Sequence, residues 1–218
     1  MNHIKPPSIF LRTTILTLLI ASATPIALLL ARIVYTRHIA YLFLLWNLAL
    51  AWMPLLLAIL AWQARRHPFL ALSTGFLWLL FLPNAPYLVT DLIHLRPTPQ
   101  APMWYDVIML FSFALAGLAL GLHSLHLMRD LVQRRFGLLP GWIFALVAAT
   151  LSGFGIYIGR FLRWNSWEIF LHPLHLASDV AATVSAPTSL LKLLTVVLLF
   201  GTITLVGLLL VPAWQTSK

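Results

Sequence analysis

Six long apolar runs fill most of this sequence and limit what it can fold into. A helix needs about 20 predominantly apolar residues to cross the hydrocarbon core of a bilayer. We therefore predict membrane-spanning helices at about residues 13–34, 39–64, 69–95, 104–128, 139–159 and 189–211. Polar side chains interrupt the apolar pattern over residues 164–187, and we predict that this segment lies at the membrane interface.

Composition supports a single all-α domain in the membrane. The 218 residues are 61% hydrophobic and 9% charged, with a mean hydropathy of +0.94. A soluble domain carries about 25% charged residues, so a soluble fold is excluded. We predict one polytopic transmembrane bundle over residues 1–218, because the spans leave no room for a separate soluble domain. The first run is longer than the apolar core of a secretion signal, and we expect a retained span.

The charge balance points to a lipid bilayer as the partner. The formal net charge is +9, from 14 Lys and Arg against 5 Asp and Glu. The basic residues stand singly or in pairs at the ends of apolar runs, as the positive-inside rule and snorkelling require. Nucleic acid is therefore not expected as a partner, and the oligomeric state is left open. The chain has no cysteine, which excludes disulfides and thiolate metal sites.

The third apolar run contains a break at Pro83 and Pro86. About 14 residues precede Pro83, and at 1.5 Å each they reach only about 21 Å of the roughly 30 Å hydrocarbon core. The helix must therefore continue through the break to cross. Each proline leaves a backbone carbonyl without its usual partner, and Asn84 is the local side chain that we expect to bind one. Residues 96–102 are rich in proline and are predicted to be a stiff extended connection.

Charge also predicts an orientation. With six spans both termini lie on one side, and that side holds eight of the 14 basic residues, so we predict that both termini are cytoplasmic. The acidic residues divide sharply: Asp130 lies inside, whereas the outer side holds Asp91, Asp106, Glu168 and Asp179. Neighbouring helices in a bundle lie about 8–10 Å apart, so we expect the two outer connections to converge.

Four motifs in these connections resemble a known family. They occupy residues 83–87, 90–95, 104–106 and 159–167. The sequence is similar there to a family of predicted bacterial integral membrane proteins that is catalogued as a domain of unknown function. The resemblance covers roughly the second span to the sixth. It implies a multi-pass bacterial membrane protein, and it implies no reaction. We predict that this protein lies in the inner membrane.

Asp91, His94 and Asp106 are the candidate catalytic residues. Asp91 and His94 are three residues apart, and a carboxylate beside an imidazole can carry out acid–base chemistry near neutral pH. The alternative is that Asp91 forms an ion pair with Arg96 or Arg160 and stabilises the break in the third helix. For Asp106 the alternative is a capping role, because a carboxylate is favourable in the first turn of a helix.

Arg160 and Arg163 are the candidate anion-binding residues. Two guanidinium groups three residues apart suit a phosphate or carboxylate. The alternative is that they neutralise nearby acids and contact lipid headgroups, with Trp164 and Trp167 as interfacial anchors. The remaining predicted substrate-binding residues lie in the same motifs: Asn84, Tyr87, Asn165 and Glu168.

No metal site and no cofactor is assigned. His123 and His126 supply only two ligands, fewer than a zinc site needs, and the spacing of the outer histidines and acids is not diagnostic. Three functions stay open. The first is a membrane enzyme or binding protein for an anionic lipid or envelope substrate. The others are a small transporter or channel, for which broken helices are a known device, and an accessory subunit whose polar cluster is an ion-pair latch.

Overall fold

The computed structural model describes residues 8–166 and 168–210, and most of these residues are helical. The predicted all-α fold is confirmed. In this described part of the chain nine α-helices follow one another: α1 Ser8–Thr36, α2 Phe43–Gln63, α3 Pro68–Phe81, α4 Asn84–Thr90, α5 Met103–Phe136, α6 Leu138–Tyr157, α7 Glu168–Leu171, α8 Pro173–Ser185 and α9 Pro187–Leu210. Two 3₁₀ turns (Ala64–Arg66 and Asp91–His94) and a π-helical turn (Ile158–Leu162) extend α2, α4 and α6.

Six helical segments in the described residues are long and apolar enough to cross a membrane: Arg12–Thr36, Phe43–Arg66, Pro68–His94, Met103–Phe136, Leu138–Leu162 and Pro187–Leu210. The protein is therefore a multi-pass membrane protein. The observed helices differ most from the approximate predicted bounds at two points. The second span begins at Phe43 rather than at 39, because Tyr41 adopts a left-handed conformation that precedes the helix. The fourth helix continues to Phe136 rather than 128. Position 211 and Trp167 lie outside the described residues.

The third span is broken where the prolines predicted it. α3 ends at Phe81 and α4 begins at Asn84. The amide of Ala85 bonds to the carbonyl of Leu82, which leaves the carbonyl of Phe81 without a backbone donor. The Asn84 side-chain amide donates to that carbonyl at 3.0 Å, so the expected local partner is confirmed.

The connection after the third span differs from its prediction. Thr98 and Ala101 form an isolated antiparallel bridge around a turn, so residues 96–102 are not fully extended. The physical reason is the position of Pro99, which is the second residue of this four-residue turn. Its fixed φ suits that position in a β-turn.

Small residues fix the position of α4 inside the bundle. Contacts with α1, α2, α4, α6 and α9 place α5 at the centre. A Cβ at Gly117 of α5 would collide with the carbonyl of Ala85, and one at Gly155 of α6 would collide with the Pro83 ring. The close approach predicted for the fourth span is thus made to α4. These contacts fix the position of α4, whose last turn leads to the end of the bundle at which α1 and the third span end. We call this end the cavity end.

Candidate functional site

A cavity of about 680 Å³ opens at the cavity end. α2 and the last turns of α6 form its two sides, and the third span lies between them. The loop after α6 and Leu176 of α8 complete the lining. Five of the residues predicted for the substrate site line it: Asn84, Tyr87, Arg160, Arg163 and Asn165.

Asp91 lies beside this cavity and is only 1% exposed. Its carboxylate accepts a hydrogen bond from the Asn47 side-chain amide at 2.8 Å and another from Arg160 at 3.3 Å. Of the two ion pairs considered from the sequence, the structure therefore forms the one with Arg160. Its two oxygens face the protein, so Asp91 is placed to hold other side chains rather than to meet a ligand directly.

Arg160 is fixed by three groups of the third span. Besides Asp91, it donates to the carbonyl of Thr90 at 2.8 Å and to the Tyr87 hydroxyl at 3.3 Å. Its guanidinium also lies over the Tyr87 ring, 5.6 Å from the centroid. The residue belongs to the π-helical turn Ile158–Leu162, and such turns are frequent at functional sites. Arg160 is consequently pre-positioned at the cavity wall.

Arg96 and Arg163 form the rest of the positive lining. Both side chains are exposed, and within residues 8–166 and 168–210 neither makes a hydrogen bond or ion pair. Arg163 has a left-handed backbone, with φ of 61°, at the point where the π-helical turn ends. None of the described lining residues is an aspartate or glutamate. The cavity therefore presents positive charge to whatever enters it.

The loop after α6 is held by hydrogen bonds on both sides. Asn84 donates to the Ser166 hydroxyl at 3.1 Å and so joins the third span to this loop. The sequence predicted that the connections after the third and fifth spans would lie close together. Trp164 lines the cavity and donates to Asp179 of α8 at 2.9 Å. Glu168 is outside the lining. Its carboxylate accepts from the backbone amide of Asn165 at 2.5 Å and so shapes the loop.

The predicted pairing of Asp91 with His94 is not formed. The His94 ring packs edge-on against Phe43, with centroids 5.0 Å apart, and no hydrogen bond joins it to Asp91 in the described part of the chain. The His94 carbonyl accepts from the Tyr41 hydroxyl at 3.2 Å. Burial raises the pKa of Tyr41, which keeps that hydroxyl a donor. His94 does line the cavity, so the imidazole is available there without the carboxylate.

Asp106 lies away from the cavity in a second ion pair. It sits in the first turn of α5, as the capping alternative placed it, but its carboxylate binds Arg32 of α1 through two hydrogen bonds of 2.6 and 3.0 Å. Both residues are buried, at 0% and 3% exposure. The arrangement gives Asp106 a role in joining α1 to α5.

Sequence analysis missed Arg32 and Asn47. Arg32 is the one charged residue within the first predicted span, and that isolation was a usable signal for a buried partner. Asn47 lies in the second turn of α2, which begins at Phe43, and its side chain lines the cavity.

No cluster of three or more potential metal ligands occurs in the described residues. His172 and His175 lie near each other, with ring centroids 5.9 Å apart. His123 contacts the carbonyl of Ala119, four residues earlier in α5, at 2.8 Å.

Comparison with known proteins gives one match. The model of a family described as "Protein of unknown function (DUF1361)" matches residues 46–206. No curated protein and no solved structure matches the sequence. Every residue that lines the cavity falls within the matched range, which also covers more than half of the chain. The chain therefore belongs to the DUF1361 family of unknown function.

Proposed function

We propose that this membrane protein binds an anionic lipid or envelope substrate in the cavity. The observation that carries the proposal is a lining with three arginines and, among the described residues, no acidic side chain. Asp91 balances Arg160, which leaves Arg96 and Arg163 as uncompensated charges at the mouth. We further propose that the protein lies in the bacterial inner membrane with both termini cytoplasmic, so that the cavity faces outward.

The geometry suits a phosphate or carboxylate. Guanidinium groups bind these anions through two parallel hydrogen bonds. Arg160 is already held in place, so little side-chain entropy is lost when it contacts a ligand. A cavity of about 680 Å³ also lies within the range of about 300–1,000 Å³ that is typical of small-molecule sites.

Acid–base chemistry, if the protein is an enzyme, is assigned to His94. Its imidazole lines the cavity, whereas the Asp91 carboxylate is directed at Asn47 and Arg160. Asp91 acts in this proposal through Arg160, as a positioning residue. The structure gives Asp106 no part in the cavity.

Retention of anionic lipid tests the proposal. The double variant Arg96→Gln/Arg163→Gln should retain phosphatidylglycerol about ten times more weakly than the parent protein, because each of these exposed arginines contributes up to about 1 kcal/mol to an ion pair with the headgroup and about 1.4 kcal/mol is a factor of ten in affinity. Phosphatidylcholine should be unaffected. Native mass spectrometry of the full chain in nanodiscs measures both lipids. The matched control is Arg37→Gln/Arg135→Gln, which removes two exposed arginines outside the lining. Equal loss in both double variants would refute the site.

An accessory role with an ion-pair latch is the second candidate. It is favoured by the bonds from Arg160 to Asp91 and to the Thr90 carbonyl, which join the end of α6 to the third span. The exchange Asp91→Arg/Arg160→Asp separates the two functions. Full recovery of both folded yield and lipid retention would support the latch, whereas recovery of yield alone supports the binding site.

The position of the polar groups does not favour the transporter hypothesis. Its support is the broken third helix. Asn47 and the polar side chains that follow the break, such as Asn84 and Asp91, lie together at the cavity end.

A further inference from the structure

We infer that the cavity ligand carries a hydrocarbon chain that lies between α2 and the end of α6, so that the ligand is an anionic lipid. This inference rests on the proposed function, because it assumes that the arginines bind the anionic group. The inference adds the position of the hydrocarbon chain and the route by which the ligand enters the cavity.

The cavity lining has two chemically different parts. The mouth is formed by Arg96, Arg163 and polar groups of the loop after α6. The deeper wall is apolar, with Leu50 from α2, Leu80 from α3 and Ile158 from the end of α6. A soluble phosphate or sugar phosphate would use only the mouth. An amphiphile with a charged headgroup and an apolar chain matches both parts.

The apolar wall reaches well below the charged groups. Leu50 is seven residues after the start of α2, and Leu80 is seven residues before Tyr87. At 1.5 Å per residue, Leu50 lies roughly 10 Å below the start of α2, and Leu80 lies a similar distance below Tyr87 along the third span. That depth places the wall beside lipid tails when the arginines are at headgroup level.

The side of the cavity faces lipid. α2 packs on both α3 and α4, and α6 also contacts both, so the third span forms the back of the cavity between them. Trp46, in the lining on the α2 side, is 60% exposed, and Ile93 is 68% exposed. An entrance bordered by exposed apolar side chains within a membrane-spanning bundle admits a lipid sideways from the surrounding leaflet. The positive mouth then selects anionic headgroups over neutral ones.

Photocrosslinking in nanodiscs tests the position of the chain. Phosphatidylglycerol and phosphatidylcholine, each with a diazirine in one acyl chain, are compared by peptide mass spectrometry. Leu198 of α9 is the reference, because its side chain is 68% exposed outside the cavity lining. We expect the ratio of phosphatidylglycerol to phosphatidylcholine crosslinks at Leu50 and Leu80 to be roughly fivefold or more above the same ratio at Leu198.

A filling variant separates the chain from the headgroup. Leu80→Trp should remove the enrichment at Leu50 and leave the binding of soluble glycerol phosphate unchanged, whereas Leu198→Trp should change neither. Glycerol phosphate binding is measured by its protection of the protein against thermal unfolding. The same measurement on Arg96→Gln/Arg163→Gln reports on the headgroup site.

The outcomes distinguish this inference from the proposed function. If the lipid ratios at Leu50 and Leu80 equal that at Leu198 while glycerol phosphate still binds through the two arginines, the chain position is wrong and the anion site stands. If the binding of phosphatidylglycerol and that of glycerol phosphate are both unchanged in Arg96→Gln/Arg163→Gln, the chain position and the anion site are both wrong. Enrichment that is lost in Leu80→Trp and in the double arginine variant supports both.

Discussion

Removing the carboxylate of Asp106 is the most informative single change at the cavity end. Arg32 donates to both oxygens of Asp106, from Nε at 2.6 Å and from Nη2 at 3.0 Å, and neither side chain is exposed by more than 3%. In Asp106→Ala the guanidinium would stay buried without its counter-charge. Breaking a buried pair in this way costs about 3–5 kcal/mol.

The local surroundings of Arg32 set where in that range the cost falls. Its Nη1 already has no hydrogen-bond partner within the described residues, and the Tyr41 ring lies 4.7 Å from the guanidinium. Tyr41 and Tyr105 also interact favourably with Arg32, but a neutral phenol does not supply the negative charge of the carboxylate. We expect a loss of about 4 kcal/mol, in the middle of the range for broken buried pairs.

The double variant Arg32→Met/Asp106→Leu shows whether charge is responsible. It replaces the pair with apolar side chains and should recover most of the loss, because such replacements are often neutral or stabilising. Thermal unfolding in detergent measures the stability of the parent protein, of Asp106→Ala and of the double variant. Arg37→Met is the control for loss of an exposed arginine at the same end. If Asp106→Ala is as stable as the parent, or if the double variant is as unstable as the single one, the reasoning fails. A stable Asp106→Ala protein without function would revive the catalytic assignment.

Three further changes test the site and the topology. Asp91→Ala should cost about 3 kcal/mol of stability and weaken retention of phosphatidylglycerol, because its arginine partner loses its position; unchanged retention in a correctly folded protein would argue against the site. Gly155→Ala should lower the melting temperature by overlap with the proline at the helix break, at a cost of about 1–3 kcal/mol. Gly201→Ala is its control, since the nearest atom to a new Cβ is 3.9 Å away. Single cysteines at Gln100 and Gln133 should react with an impermeant maleimide from opposite sides of the membrane, and labelling of both from outside would contradict the six-span topology.

Features that depend on local chain chemistry were predictable. The lengths and composition of the apolar runs indicated six spans, because a bilayer imposes one minimum length on every crossing helix. The broken third helix followed from the same length and from two prolines. Asn84 was expected to bind a carbonyl that the break leaves free, and in the structure that carbonyl belongs to Phe81. Each of these conclusions needed only neighbouring residues.

Pairings between distant spans were not predictable in the same way. Asp91 and His94 suggested a pair because they are close in sequence, but Asp91 binds Asn47, 44 residues away, and Arg160. Asp106 binds Arg32, 74 residues away. Charge and burial could indicate that such residues need partners. Which partner each one meets is decided by how the helices pack, and spacing along one helix carries no information about that.

The side-chain amide of Asn84 connects the integrity of the third span to the shape of the cavity. One of its two hydrogens is directed to the Phe81 carbonyl and the other to the Ser166 hydroxyl, so both of its donors are in use. A ligand that displaces the loop carrying Ser166 therefore pulls on the same group that completes the broken helix. We therefore expect occupancy of the cavity and the bend of the third span to be coupled through Asn84. The consequence is a route by which a bound lipid would change the angle between α3 and α4 through the loop after α6, in addition to its direct contacts with the third span.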